Sequence, residues 1–416
     1  MPFPGAELVS RFVSGLTSKA AAEFQPTLIE PSGKEFALDA DPKIGDADDA
    51  DTFEKRIERL REKIQEADEA DLVGIADVIR DVNHSAQAPC GTPPTSDTVQ
   101  FCWNDEDNEG TTWIPQGLTA SWDAHADGTY AGHRIIAASW HDDKGRDGTD
   151  RGCRVTFINY DDPEKPKYRH ALLVVPDGDG SFQAMPADSH AGGIAWVGDK
   201  LYVADTQELR VFDLNNIWRA QPDSSHKKIG MYDGKVYAAD YRYAIPQSRC
   251  YEPKQPLRFS CVSLDRTRTP NSLIIAEYKK DRAGVHSTKN ADAEIVRWDL
   301  GDDGWLVESS ENEALASGAW VTTRANINGA ITHGDAAEPE FVLTTSEFDR
   351  KPAWVHRAKI GSSERYTRVP AGGIEDLTYE PQSKRMWTLT EYNGRRTVFG
   401  IPLSSIGKRS SSNTAT

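Results

Sequence analysis

The chain has 416 residues and carries 48 Lys plus Arg against 65 Asp plus Glu, a net charge of -17. That acidic balance, with no clustered cations, argues against nucleic acid as a partner, because a phosphate-binding surface must replace counterions with Lys and Arg. Aromatics make up 9% with 11 Trp, mean hydropathy is -0.60, and no run approaches the roughly 18 apolar residues of a membrane helix, so a folded chain with no membrane partner is expected.

The first segment, MPFPGAELVSRFVSGLTSKAAAEF, breaks its apolar residues with Ser, Arg, Thr and Lys and lacks the continuous apolar core of a secretory signal. The protein is secreted or vesicular if a signal has been removed ahead of this numbering, and cytoplasmic otherwise. Asn83-His84-Ser85 is a glycosylation sequon compatible with secretion. Residues 1–100 read as an extension. Pro2, Pro4, Pro26, Pro31 and Pro42 prevent long elements, and an acidic stretch, DADPKIGDADDAD, follows. An amphipathic helix is expected over about 52–80, with Asp51 as N-cap and Phe53, Ile57, Leu60 and Ile64 on its dry stripe. Leu72, Val73, Ile75, Ala76 and Ile79 continue or follow it. Fewer than three clean heptads favour packing onto the main domain over a coiled coil.

From Trp113 the pattern changes to short β-type runs in a repeat of three strands. The units are QGLTAS, HRIIAASWH, RVTFINYDD; GGIAW, KLYVADTQ, LRVFDLN; SCVSLD, SLIIAEYKK, EIVRWDL; NGAITH, EFVLTTSE, AWVHRAKI; and GIEDLTYEP, RMWTLTEYN, RTVFGIPL. Their starts, Gly117, Gly193, Cys261, Gly329 and Gly373, are unequally spaced, as insertions on a radial repeat produce. An all-β propeller over residues 101–405 is therefore expected, with five blades favoured and six possible if KVYAADYRYAIPQ forms its own strand pair. Two stacked sandwiches would not share a three-strand pattern. YRHALLVV and RYTRVP are candidate outer strands, and TVQFCW is the candidate for closing the ring. Residues 406–416, ending in KRSSSNTAT, read as a disordered tail.

Five cysteines give two short candidate loops, Cys250 with Cys261, the preferred pair, and Cys90 with Cys102; unpaired thiols are the alternative. No Cys/His spacing marks a zinc site. GxSxG, HExxH, Gly-rich phosphate and EF-hand signatures are missing, so no cofactor is expected.

A propeller gathers loop residues from all blades at one end of its channel. Those after each second strand are Trp140 and His141, Thr206 and Gln207, Tyr278 and Lys279, Ser346 and Glu347, and Glu391 and Tyr392; those before the first strands include Gln116, His190, Asn326, Asn328, Glu375 and Asp376. This is the composition of a small-molecule site with an aromatic wall. Blander duties stand beside it: His190 bonding the Gly192-Gly193 turn, Glu375 and Asp376 bonding backbone amides at a blade junction, and Asp205 pinning a neighbouring blade. Tyr241, Arg242 and Tyr243, in a Pro-ended insertion, read as a lid or clamp. Trp103, Trp113, Trp305, Trp320 and Trp354 read as blade packing.

The stretches PQGLTAS, HAGGIAWVGDKLYVADTQELRVFDLNNIW, ADYRYAIPQ, CVSLDRTRTPNSLIIAEY and GGIEDLTYEPQSKRMWTLTEYNGRRTVF resemble a group of often secreted propeller proteins of filamentous bacteria and fungi. That group includes the fungal intermolecular hetero-Diels-Alderases of tropolone sesquiterpenoid biosynthesis. The resemblance runs from about Trp113 to Leu403. It implies a cofactor-free pericyclase that joins a tropolone quinone methide to a humulene-type alkene. His190, Arg242 and Tyr243 would supply the activating hydrogen bond. Gln116, Trp140, His141, Tyr241, Tyr278, Glu347, Glu375, Glu391 and Tyr392 would hold the apolar and quinone-methide partners. The polar N-terminal hundred residues depart from the secreted members. Two rival readings are a metal-dependent lactonase-type hydrolase with Glu375, Asp205 and Asn328 as ligands, and a secreted binding propeller without chemistry.

Overall fold

Alternating apolar residues from Trp113 onward make antiparallel strands that pair in the order of the repeat. The computed structural model describes residues 27–29, 35–44, 51–67, 71–143, 151–223, 225–280, 293–322, 324–346, 352–360, 365–370 and 372–407. Within these, a first meander comprises Trp113–Ala120, Ile135–Asp142, Cys153–Asn159 and Lys167–Pro176. A second comprises Gly193–Val197, Lys200–Asp205, Glu208–Asp213 and Tyr243–Pro253. Cys261–Asp265, Ser272–Ala276, Ala293–Asp299 and Ala316–Thr322 form the third. Ile327–His333, Glu340–Thr345, Ala353–Lys359 and Arg365–Val369 form the fourth. The last, Ile374–Glu380, Arg385–Thr390 and Thr397–Pro402, takes its outer strand from Val99–Cys102, so TVQFCW does close the ring.

The first strands of successive meanders contact one another in a cycle, which is the radial arrangement of a β-propeller. Second strands such as Lys200–Asp205, Ser272–Ala276 and Glu340–Thr345 are buried at every residue, because a neighbouring blade covers each face. The inner strands pack backbone to backbone: a Cβ on Gly193 would lie 2.5 Å from Cys261 Cα. Aromatic contacts seal the blades further out, with Trp122 5.5 Å from Trp387 and Trp320 5.1 Å from Phe341.

The segment KVYAADYRYAIPQ is divided. Lys235–Ala238 pairs with Ile229–Tyr232 in a hairpin, and Tyr243 starts the outer strand of the second meander. That strand first runs parallel to Leu172–Val174 of the first meander and then antiparallel to Leu209–Phe212, joining two blades along their outer edges.

The N-terminal extension lies over this junction. The expected long helix is interrupted: Phe53–Gln65 is helical, Asp71–Val73 pairs as a strand with Ile217–Arg219, and Ile75–Arg80 is a second short helix. Its N-cap is Thr52, whose hydroxyl accepts from Lys55 N, and not Asp51, which accepts from Thr52 N and pairs with Arg59. Ile57, Leu60 and Ile64 are buried against Leu172, Val174, Phe182 and Trp218, at about 1.5–3 kcal/mol of transfer free energy for each fully buried side chain. The stripe therefore docks on the propeller.

The cysteine preference is reversed. Cys90 and Cys102 form the disulfide, while Cys250 and Cys261 are free and buried. Cys250 sits on the outer strand of one blade and Cys261 on the inner strand of the next, in different apolar clusters. A bridge between Gln87 and Cys102 instead brings Cys90 close. At the C-terminal end, Ile406 belongs to the core of the last blades rather than to a tail, and residues 408–416 lie outside the described residues.

Candidate functional site

Three inner strands are irregular, and each irregularity carries a polar residue. Register shifts fall between Pro115 and Leu118, between Ile327 and Gly329, and between Ile374 and Leu377. Bulges of this kind re-aim side chains, here Gln116, Asn328, Glu375 and Asp376. The backbone is also constrained nearby: Ala191, Thr206 and Asn326 have φ of 48°, 51° and 55°, and for a β-branched Thr that conformation is costly. Gly373, at φ 68°, allows close packing of Glu391 and Tyr392, since a Cβ there would lie 2.7 Å from Glu391 Cγ.

Of these residues, Gln116, Thr206, Asn328, Glu375, Glu391 and Tyr392 line a cavity of about 220 Å³. Its wall combines Gln116, His190, Thr206, Ser260, Asn328, Ser346, Glu375 and Glu391 with Phe259, Tyr278 and Tyr392, and Arg258 stands at its edge. Thr206 and Arg258 also border an open shelf of about 920 Å³ that includes Pro253, Pro256, Leu257 and Lys279.

The two neighbouring acids of the last blade do different work. Asp376 Oδ2 accepts from Leu118 N at 3.1 Å and Ile194 N at 2.8 Å, so it fastens the inner strands of two other blades, while its buried Oδ1 has no hydrogen-bond partner. Glu375 turns into the cavity, where Asn328 Nδ2 donates to its Oε1 at 3.2 Å; the same amide also donates to Ser346 Oγ and Ile374 O. Burial, followed by the charges of Glu391 and Asp376, holds the Glu375 carboxyl well above the usual carboxylate range. Glu391, whose Oε2 accepts from Gln116 Nε2 at 3.4 Å, is raised as well, chiefly by burial. Burial and the neighbouring acids therefore both favour the protonated form of Glu375.

His190 borders the cavity, its backbone N donating to Asp205 Oδ1 at 2.7 Å. Its ring lies 4.6 Å from that of His141, one residue row behind. Burial lowers both imidazoles, His141 to about 3 with His190 as the second cause, so neither carries charge at neutral pH.

Thr206, Asn328 and Ser346, expected among the converging loop residues, line the cavity, and of the twelve residues given activating or substrate-holding roles six meet there: Gln116, His190, Tyr278, Glu375, Glu391 and Tyr392. The others do not. Trp140 is fully buried, with Trp103 4.8 Å away and the Arg154 guanidinium 4.6 Å over its ring. Tyr243 is buried at the junction of the first two blades and donates to Asp81 Oδ2 at 2.8 Å. Arg242 is exposed, with Nη1 3.5 Å from Ala220 O. Tyr241 lines a separate cavity of about 320 Å³ with Trp113, Asp107 and Arg154. The lid reading fails because outer-strand pairing holds this segment at the periphery. Glu347 lies outside the described residues. Arg258, Phe259 and Ser260 were missed, although they occupy the position, just before a first strand, that identified Gln116 and His190 elsewhere.

The lactonase ligand set does not assemble, because both Asp205 oxygens are engaged, one by His190 N and one by Arg210 Nε at 2.6 Å. Among the described residues two other groups have metal-ligand spacing: His84, Asp107 and His170, and Glu208, Cys250 and Glu252. In each a carboxylate already pairs with an arginine, Asp107 with Arg154 and Glu208 with Arg210, both at 2.6 Å.

Comparison with protein-family models and with curated proteins found no match. Among solved structures, similarity extends to a gluconolactonase of Xanthomonas campestris, with 12% identity over 78% of this chain and 99% of that one and a TM-score of 0.33. A luciferin-regenerating enzyme has 10% identity over 73% and 95%, with a TM-score of 0.32. The β-propeller domain of Myceliophteria thermophila Cps50 (Swd1) has 8% identity over 69% and 96%, with a TM-score of 0.33. These likenesses are distant, and the propeller assignment rests on the strand pairing itself.

Proposed function

We propose that the chain is an enzyme that activates an oxygenated small molecule by a hydrogen bond from a neutral carboxyl group at the end of the propeller channel. The observation that carries this reading is Glu375, buried beside a second, half-buried carboxyl, Glu391, with an amide as its hydrogen-bond partner. A neutral acid in a site shielded from water donates a strong, pre-oriented hydrogen bond to an oxygen that gains negative charge. The reaction we assign is the intermolecular hetero-Diels-Alder addition of a tropolone quinone methide to a humulene-type alkene, supported by the sequence resemblance. That reaction keeps every atom of both partners and needs orientation plus polarisation of one oxygen. Orientation alone supplies up to roughly 7–11 kcal/mol.

The donor role passes from Arg242 and Tyr243, which lie elsewhere, to Glu375, with neutral His190 on the cavity wall. A volume of about 220 Å³ lies below the roughly 300–1,000 Å³ of drug-sized sites, so the cavity takes one compact ring and the alkene partner lies toward the shelf. Purified protein given both partners is expected to accelerate adduct formation and to fix its stereochemistry. Glu375→Leu should lower the rate about 10²-fold, and Glu375→Gln, which keeps a weaker donor, should retain part of it. Adduct formation at the buffer rate with the buffer's stereochemistry would contradict the assignment.

A further inference from the structure

The cavity of about 320 Å³ that Tyr241 and Trp113 border lies between the first blade and the last, and three guanidiniums converge on it: Arg151, Arg154 and Arg396. Carboxylates match the first two. Arg151 pairs with Asp142 at 3.6 Å and Arg154 with Asp107 at 2.6 Å. Arg396 is only 2% exposed, yet among the described residues no carboxylate pairs with it. Its Nε donates to Glu391 O at 2.7 Å and its Nη1 to Asp107 O at 2.6 Å, which leaves Nη2 without a hydrogen-bond partner on a side chain that lines the cavity. Backbone carbonyls satisfy donors but bring no counter-charge, and a buried cation without one is costly. Arg154 and Arg396 lie over the same indole, 4.6 and 5.7 Å from the Trp140 ring centre, so two buried cations share one buried carboxylate. The other acids that line the cavity, Glu106 and Asp240, are exposed on its rim, and Asp240 is 3.4 Å from His226. The Glu391 carboxyl turns the other way, toward Gln116 in the channel cavity.

We infer that this second cavity binds a compact monocarboxylate with a flat apolar body, its carboxylate received by Arg396 and its body lying against Trp113 and Tyr241. One buried positive charge in excess calls for one negative charge. An uncharged molecule would leave Arg396 uncompensated, and inorganic phosphate, partly dianionic at neutral pH, would set its second charge against Glu106 and Asp240 on the rim. The planar fork of a guanidinium suits a carboxylate. Trp113 and Tyr241, edge to face with ring centres 6.0 Å apart, supply the apolar surface. The site is separate from the channel cavity, and its ligand is independent of the reaction assigned there.

Benzoate and benzamide, alike in shape and differing in charge, are suitable probes for calorimetric titration of the purified full chain. Benzoate is expected to bind at least about tenfold more tightly than benzamide or inorganic phosphate. Arg396→Gln should bring the ratio of benzoate to benzamide affinity to about one, and Arg396→Lys should keep part of the preference. Arg258→Gln, at the edge of the channel cavity, should leave it unchanged. A second measurement needs no change at Arg396: with the tryptophans labelled with nitrogen-15, benzoate should shift the indole resonance that Trp113→Phe removes. Equal binding of benzoate and benzamide, binding of neither, or tighter binding of phosphate would overturn the inference. So would a preference that survives Arg396→Gln or is lost in Arg258→Gln, or benzoate binding that leaves the Trp113 resonance unmoved.

Discussion

Asp107 and Glu375 are both carboxyls withdrawn from water, and the groups around them push their pKa values in opposite directions. Asp107 accepts from Arg154 Nη2 at 2.6 Å, the Tyr168 hydroxyl at 2.6 Å and His170 Nε2 at 3.1 Å. Burial opposes ionisation there, but Arg154 and the donors outweigh it and hold the carboxyl far below its ordinary range. His170 is lowered to about 4, first by burial and then by Arg154, so it is neutral, with Thr156 donating to Nδ1 and Nε2 donating to Asp107. Glu375 has one amide donor and two acidic neighbours. Saturation makes the first carboxyl a fastener, and its lack leaves the second a proton to share.

The largest effect that could break this contrast is on stability. Asp107→Ala strands a buried guanidinium and should cost about 3–5 kcal/mol in urea unfolding; a loss below about 1 kcal/mol would refute the fastener role. Asp376→Ala orphans two buried amides between blades, and about 2–3 kcal/mol is expected in the same measurement. Glu375→Gln replaces one neutral group by another of the same shape and should stay within about 1 kcal/mol of the parent.

The smallest effect is the shape of the pH dependence, and its sign differs between the two regions. A carboxyl raised by folding contributes stability that is full below its ordinary value, about 4, and is lost as pH rises through the raised one. Glu375, Asp376 and Glu391 are of this kind. Asp107, lowered by folding, contributes stability present above the ordinary value and lost as pH falls through the lowered one. Unfolding followed across pH should show Glu375→Gln flattening only the limb above the ordinary value and Asp107→Asn only the acid limb. Turnover should fall as pH rises through the raised Glu375 value and should lose that dependence in Glu375→Gln.

Much of the architecture was legible because blade strands have short, strong patterns. Lys200–Asp205 and Glu340–Thr345 are buried on both faces and read as continuous β-type runs, and Val99–Cys102 was recognisable as an unpartnered strand ahead of the repeat. What failed depended on pairing over long distances. The Tyr241-Arg242-Tyr243 segment has the composition of a clamp, but parallel pairing of Ala244 with Leu172 holds it at the blade edge. Cys250 and Cys261 are close in sequence yet belong to different blades. Half of the site residues were placed by the rule that loops flanking inner strands converge. The bulges that aim Asn328 and Glu375 leave no mark in composition, and Arg258 and Phe259 were hidden in a stretch read as a candidate disulfide loop.

The central claim is that Glu375 is protonated at neutral pH. With the glutamate carboxyl carbons labelled with carbon-13, the resonance that disappears in Glu375→Gln identifies this group. The account predicts that in the parent protein it stays at the position of a protonated acid at neutral pH and moves only at higher pH. A Glu375 resonance already at the ionised position at neutral pH would contradict it.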